Sequence, residues 1–293
     1  MSSSRYWELT VDVPDQASEG LTNFVWELGA LGVVEEHTAG GAPRLRAFFP
    51  ETAAAPILEA SLQQYLEGLG SLGFAVSGAA TIAPLEDPGW AEAWRAHFRP
   101  RAVGRQLVIA PPWESPRTPG RLVITIEPGR AFGTGHHGST TGCLEMLEDI
   151  LEHADVPRAL DLGTGSGILA ITAARLGVGR IVAIDDDPDA IANAMANAAR
   201  NGVCDRVRCV LSDAGIVETQ PAALVLANLT KTAHVRLAPA YRRYASPDGS
   251  LVLGGILDGE ADELADALGR EGWTPRDSIS REGWTTLALS RAH

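Results

Sequence analysis

The feature that most constrains this chain is a turn with glycine at every second position, residues 163–167. An apolar run, 159–162, leads into the turn, and a helical stretch follows it. Glycines let the backbone turn sharply and approach a ligand closely, because no Cβ stands in the way. The third glycine, Gly167, comes one residue too early for the dinucleotide fingerprint G-x-G-x-x-G. We therefore expect a ligand-holding turn between a strand and a helix, with a nucleotide site or an empty turn as alternatives.

The next predicted strand supplies a carboxylate. Residues 180–184, apolar after Arg180, predict a short buried parallel strand, with Asp185 at its carboxyl end. Asp185 follows the glycine turn by about 20 residues, the spacing at which a carboxylate accepts the ribose hydroxyls of an adenosine. We interpret Asp186 and Asp187 as solvated or capping residues of a helix that begins at Pro188.

A third polar side chain follows another predicted strand. Residues 222–227 are apolar, and Asn228 stands at their end, before Leu229 and Thr230. Ligands of open α/β sheets lie at the carboxyl ends of strands, so Gly163, Asp185 and Asn228 should converge. The alternative is that Asn228 only caps the helix that begins near Lys231.

Strand and helix patterns alternate through the second half of the chain, and the tail adds an antiparallel pair of strands. The predicted strands cover residues 158–162, 180–185, 207–211, 224–228 and 250–254, and the predicted helices cover 142–153, 167–177, 188–201, 231–245 and 258–270. This order predicts an α/β fold with a doubly wound sheet that ends in an antiparallel terminal strand.

The first third predicts a separate small α+β unit. Its order β-α-β-β-α-β matches a ferredoxin-like domain over residues 1–83. A linker with a short helix, 84–104, then leads to the catalytic domain, 105–293. Trp90, Trp94 and Phe98 share one face of the short helix, which we interpret as docking on a neighbouring domain.

Composition narrows the class of partner. The chain has 293 residues, 45% of them hydrophobic, and a net charge of −13. An acidic chain repels a nucleic-acid backbone and suits a basic partner. The three cysteines suit a reducing compartment, and no apolar run resembles a signal peptide or a membrane span. We expect a cytoplasmic protein, monomeric, with no direct contact to nucleic acid or membrane.

A glycine-rich loop precedes the doubly wound fold. Residues 127–141 hold four glycines and a run of hydroxyl side chains before a helix. Such a loop can close over a ligand. The residues that we assign to this lid are Phe132, Gly133, Thr134, Gly135 and His137. His136 and His137 have no cysteine or carboxylate partner nearby in the sequence, so we predict no metal site.

Several of these segments together resemble one family. The D-x-G-x-G-x-G stretch that begins at Asp161 is similar to the signature of S-adenosylmethionine-dependent methyltransferases. With it, residues 90–113, 127–141, 228–230 and 254–257 resemble the ribosomal protein L11 methyltransferase family (PrmA). The resemblance covers nearly the whole chain.

The resemblance implies a Rossmann-like class I methyltransferase domain behind a substrate-recognition domain. It implies that S-adenosylmethionine is bound by Thr141, Asp161, Gly163, Gly165, Asp185 and Asn228. It also implies that the products are methylated lysine or α-amine groups on the large-subunit ribosomal protein. Because methyl transfer needs an oriented, unprotonated amine, we further expect the Asn228 side chain to position the acceptor.

Two departures concern the acceptor more than the cofactor. Gly138 stands where the family usually has proline, and Leu229-Thr230 stands where it has Ile-Leu. Three alternatives remain: a lysine methyltransferase that acts on a different protein, a nicotinamide-dependent oxidoreductase, and a non-catalytic binding module.

Overall fold

The computed structural model describes residues 6–12, 20–22, 24–26, 28–30, 32–36, 44–50, 53–71, 80–85, 98–114, 116–128 and 137–291. The chain divides into two compact units, residues 1–98 and 99–293.

The first unit contains a four-stranded antiparallel sheet and a helix. Its strands are Tyr6–Asp12 (β1), Gly32–Glu36 (β2), Arg44–Pro50 (β3) and Thr81–Leu85 (β4), in the order β2-β3-β1-β4, and its helix is Ala55–Ser71 (α1). Alternate apolar residues of β1 and β3, such as Leu9 and Leu45, pack with Leu62 of α1 in one core. The helical spacing of residues 17–31 predicts the first helix of this unit. Residues 20–22 and 24–26 are helical, 28–30 are not, and the rest of this range lies outside the described residues, so the ferredoxin-like form stays a prediction.

The predicted linker, 84–104, begins within a strand and contains another strand near its end. Pro84, in β4, pairs with Trp7 of β1. Arg101–Val103 (β5) pairs with the next strand of the second unit. Trp90 and Trp94 lie outside the described residues. The boundaries of the two functional domains remain a prediction.

The second unit is built on a seven-stranded sheet. Its strands are Arg158–Leu162 (β8), Arg180–Asp185 (β9), Val207–Leu211 (β10), Ala222–Asn228 (β11), Ala245–Leu257 (β12), Trp273–Arg281 (β13) and Trp284–Arg291 (β14). The order is β10-β9-β8-β11-β12-β14-β13, and the first five strands are parallel. β14 lies antiparallel between β12 and β13, which confirms the doubly wound sheet with an antiparallel end.

Helices cover both faces of this sheet. They are Gly138–His153 (α2), Ile168–Arg175 (α3), Pro188–Arg200 (α4), Lys231–Tyr244 (α5) and Ala261–Arg270 (α6), with a 3-10 turn at Asp258–Glu260. α2 and α3 pack into one apolar core, while α5 and α6 pack into the other. Several predicted bounds were wrong: α2 begins at Gly138 rather than 142, β12 covers 245–257 rather than 250–254, and the last predicted helix opens with the 3-10 turn.

A three-stranded sheet leads into the unit. β5 pairs antiparallel with Leu107–Ala110 (β6), which pairs parallel with Leu122–Thr125 (β7). The buried carboxylate of Glu148 on α2 accepts hydrogen bonds from the backbone N–H groups of Arg105 (2.7 Å) and Gln106 (2.6 Å). This side chain therefore fixes the β5–β6 turn to α2. Within the described part of the chain, no helix is long and apolar enough to cross a membrane.

Candidate active site

The glycine turn folds back onto the end of the neighbouring strand. Gly163, Gly165 and Gly167 all have positive φ angles, of 70°, 54° and 82°. The carbonyl of Ile184 in β9 accepts hydrogen bonds from the N–H groups of Gly163 (2.8 Å) and Thr164 (2.9 Å). The left-handed backbone is open to glycine at little cost, so this sequence can make the turn that a side chain would strain.

Asp161 lies fully buried at the end of β8. Its Oδ2 accepts hydrogen bonds from the Thr164 hydroxyl (2.7 Å) and the Ala170 N–H (3.1 Å). Its Oδ1 is buried and has no hydrogen-bond partner in the described chain. Burial raises the pKa of this carboxyl to about 6, against the effect of the two hydrogen bonds. The site therefore holds a buried acceptor atom that a ligand's donor can satisfy.

Asp185 lies half-buried at the tip of β9, facing the glycine turn. Its Oδ2 accepts from the Gly165 N–H (2.8 Å), and its Oδ1 accepts from the Asp187 N–H (3.1 Å). Burial raises its pKa, and the two backbone hydrogen bonds oppose that shift. The interpretation of Asp187 as a cap is confirmed: its side chain accepts from the Asp189 N–H at the start of α4, with Pro188 in the first turn.

Asn228 ends β11 and contacts the first turn of α2. Its Nδ2 donates to the hydroxyl of Thr140 (3.2 Å), while its Oδ1 is buried and has no partner in the described chain. The alternative that Asn228 caps α5 is wrong, because the Thr230 side chain does so by accepting from the Ala233 N–H. The hydroxyl of Thr141, the predicted cofactor residue, donates to the His137 carbonyl (3.2 Å). The threonine that contacts Asn228 is Thr140.

The strand ends meet so closely that only glycine fits at two positions. A Cβ on Gly163 would collide with the Leu229 side chain. A Cβ on Gly254, in β12, would collide with the Cys143 sulfur on α2, and would lie 3.1 Å from Asn228 Oδ1 and 3.3 Å from the Ser139 carbonyl. The ends of β8, β11 and β12 and the start of α2 therefore converge, and through Asp185 the end of β9 joins them.

The family model for ribosomal protein L11 methyltransferase (PrmA) matches residues 5–292. This chain belongs to the ribosomal protein L11 methyltransferase family. Two curated proteins of that name are similar to it: one from Pelobacter propionicus, 37% identical over 283 residues (90% of this chain and 90% of that protein), and one from Geobacter metallireducens, 40% identical over 265 residues (85% and 86%).

A solved structure supports the same assignment. The ribosomal protein L11 methylase of Lactobacillus delbrueckii subsp. bulgaricus superposes on this chain with a TM-score of 0.62 at 28% sequence identity. The superposition covers 67% of this chain and 100% of the methylase chain. The family resemblance inferred from the sequence motifs is thereby confirmed.

The methyl donor of the L11 methyltransferase family, S-adenosylmethionine, fits the residues present. Its ammonium and ribose hydroxyls are hydrogen-bond donors. Among the described residues, Asp161 Oδ1 and Asn228 Oδ1 are buried acceptors without partners. The glycine turn leaves room for a ligand to approach the backbone between them.

One residue that the sequence reading missed holds this turn in place. Asn197 on α4 is fully buried, donates to the Ser166 carbonyl (2.9 Å) and accepts from the Glu127 N–H (3.0 Å). It thus joins the glycine turn to the residue where the predicted lid segment begins. A signal was present: Asn193, Asn197 and Asn201 recur at one-turn spacing along α4.

Most of the predicted lid lies outside the described residues, namely Phe132, Gly133, Thr134 and Gly135, and so does His136. His137 caps α2: its Nδ1 lies 2.7 Å from the Ser139 hydroxyl, and its ring packs edge-on against Trp284. Gly138, where the L11 methyltransferase family usually has proline, packs against the backbone of β13, since a Cβ there would lie 2.5 Å from the Arg281 carbonyl. Where the chain is described, no three His, Cys, Asp or Glu side chains are grouped to hold a metal ion.

Proposed function

We propose that this chain transfers methyl groups from S-adenosylmethionine to lysine side-chain or N-terminal amines of ribosomal protein L11. The observation that carries the proposal is the convergence of Asp161, Asp185 and Asn228 around the glycine turn, in a chain of the L11 methyltransferase family. Ligands of open α/β sheets bind at this edge.

In this proposal the cofactor is held by Thr141, Asp161, Gly163, Gly165, Asp185 and Asn228. Asp185 accepts the ribose hydroxyls with the lone pairs that its two backbone hydrogen bonds leave free. Asp161 Oδ1, buried and without a partner among the described residues, attracts the positively charged ammonium of the cofactor. Thr140 supports Asn228 from the first turn of α2.

The bound cofactor supplies a methyl group already activated on a sulfonium. What remains for the protein is to present an unprotonated amine in line with that methyl group. A lysine amine has a reference pKa of about 10.4, and apolar surroundings lower it by disfavouring the ammonium. We propose that Asn228 Oδ1 orients the amine by accepting one of its N–H groups, and that Leu229 supplies apolar surface beside it.

The remaining parts of the chain take supporting roles in the proposal. Residues 1–83 recognise the protein substrate, 84–104 connect the domains, and 105–293 carry the chemistry. Residues 132–137 close over the cofactor. The enzyme acts as a monomer in the cytoplasm, where its three cysteines stay reduced, and its negative charge suits a basic ribosomal protein.

The test is label transfer. The protein is incubated with methyl-labelled S-adenosylmethionine and a mixture of unmethylated ribosomal proteins. We expect one labelled band, L11, with the label on amines after hydrolysis. Label on another protein would favour a lysine methyltransferase of different specificity, and binding of a nicotinamide cofactor in place of S-adenosylmethionine would favour the oxidoreductase.

A further inference from the structure

A histidine lies directly beneath the acceptor end of the site. His234 on α5 is fully buried, with Nδ1 2.7 Å from the Tyr241 hydroxyl and Nε2 2.8 Å from the Gly254 carbonyl. A carbonyl only accepts, so Nε2 carries the hydrogen and Nδ1 accepts from the Tyr241 O–H. Burial lowers the pKa of His234 to about 4, although the nearby backbone carbonyls oppose the shift, so the ring is neutral near pH 7.

The Gly254 carbonyl connects His234 to the site. It also accepts a hydrogen bond from the Leu229 N–H (3.1 Å). Gly254 pairs with Asn228 between β12 and β11, and a Cβ on Gly254 would lie 3.1 Å from Asn228 Oδ1. Gly255, with φ of 77°, packs against the Leu229 backbone. A shift of this carbonyl would therefore move Asn228 and Leu229, the residues we assign to the acceptor.

A purely apolar side chain at this position would fill the space without making these bonds. It would leave the Tyr241 hydroxyl unpaired in the core and remove one of the two donors to Gly254. Buried polar groups cost stability unless every member is bonded, and a fully bonded set fixes one arrangement.

We propose that His234, oriented by Tyr241, is a positioning residue for the methyl acceptor and acts through the carbonyl of Gly254. The proposal rests on the proposed function, since it concerns the same site. It assigns His234 no proton transfer and no contact with the substrate.

The test compares His234→Leu, His234→Gln and a control, Leu237→Ala. Leu237 is fully buried on the same helix and, lacking a side-chain donor, cannot bond Gly254. We expect His234→Leu to lower kcat about 100-fold, the cost of a misplacement of about 1 Å, while S-adenosylmethionine affinity changes less than about twofold. His234→Gln keeps an N–H donor and should recover part of the lost kcat. Leu237→Ala should lower the urea midpoint with kcat unchanged at temperatures where it is folded.

A second readout keeps the test independent of the substrate. In amide NMR spectra, the Leu229 and Gly255 resonances should shift in His234→Leu and stay in place in Leu237→Ala. An unchanged kcat with unmoved resonances in folded His234→Leu would overturn the proposal, as would an equal loss of kcat in Leu237→Ala. If the wild-type protein bound S-adenosylmethionine but methylated no L11, the proposed substrate would fail, and the NMR comparison would still decide the role of His234.

Discussion

The carboxylate of Asp185 accepts a hydrogen bond of 2.8 Å from the backbone N–H of Gly165. This contact ties the tip of β9 to the glycine turn that follows β8. The two sides of the proposed adenosine site are therefore one connected unit, and a change at Asp185 acts on both.

Asp185→Ala should weaken S-adenosylmethionine binding by about 1.5–3 kcal/mol, the range for a hydrogen bond to a charged group. Calorimetry measures the change directly. Asp186→Ala is the matched control, since Asp186 is the exposed neighbour and should leave the affinity unchanged. Equal affinities for wild type and Asp185→Ala would remove this residue from the cofactor site.

The buried carboxyl of Asp161 should make the free energy of unfolding depend on pH. Burial raises the pKa of this carboxyl from 3.8 to about 6, so its contribution to the free energy of unfolding is fully present below the lower value and is lost as pH rises through the higher one. Asp161→Asn cannot ionise. In urea unfolding of the cofactor-free proteins, the stability of the variant relative to wild type should increase from about pH 4 to about pH 7. A constant difference over that range would show that Asp161 ionises as freely in the folded state as in the unfolded one.

Alanine substitutions at two glycines distinguish the cost of backbone strain from the cost of a steric clash in the site. Gly163 and Gly202 have φ angles of 70° and 66°, but a Cβ on Gly202 would meet nothing within 4 Å, whereas one on Gly163 would strike Leu229. Gly202→Ala should cost about 1–2 kcal/mol of stability, and Gly163→Ala more. Adding Leu229→Ala to Gly163→Ala should recover part of the excess, as measured in a double-mutant cycle. Equal costs for the two glycines would mean that Leu229 yields freely.

The sequence predicted the sheet well because its parallel strands are short apolar runs separated by turn residues. It could not resolve adjacent residues at the start of α2: the helix begins at Gly138 because His137 caps it, and this early start turns Thr140 rather than Thr141 toward Asn228. Nor did it reveal His234, since a histidine in an amphipathic helix usually faces solvent. Its burial depends on the Gly254 carbonyl, 20 residues away in the chain.

Residues 1–83, which lie within the first unit, are expected to serve recognition alone. A variant that begins at Arg99 retains the whole seven-stranded sheet and all the proposed cofactor residues. It should bind S-adenosylmethionine with the affinity of the full chain and methylate intact L11 far more slowly. Because removing a domain can expose apolar surface, gel filtration should first show that the variant is not aggregated. Methylation of L11 at the rate and KM of the full chain would leave the first unit without a recognition role.

We propose that this chain places methyl groups on amines of L11, using the site around Asp185 and Asn228. The most direct measurement is the intact mass of purified, unmethylated L11 after incubation with the protein and S-adenosylmethionine, followed by peptide mapping. We expect a mass gain in whole methyl increments on lysine or N-terminal amines. The Asp185→Ala substitution should slow this methylation at limiting cofactor. An unchanged mass of L11, with cofactor bound and the protein folded, would contradict it.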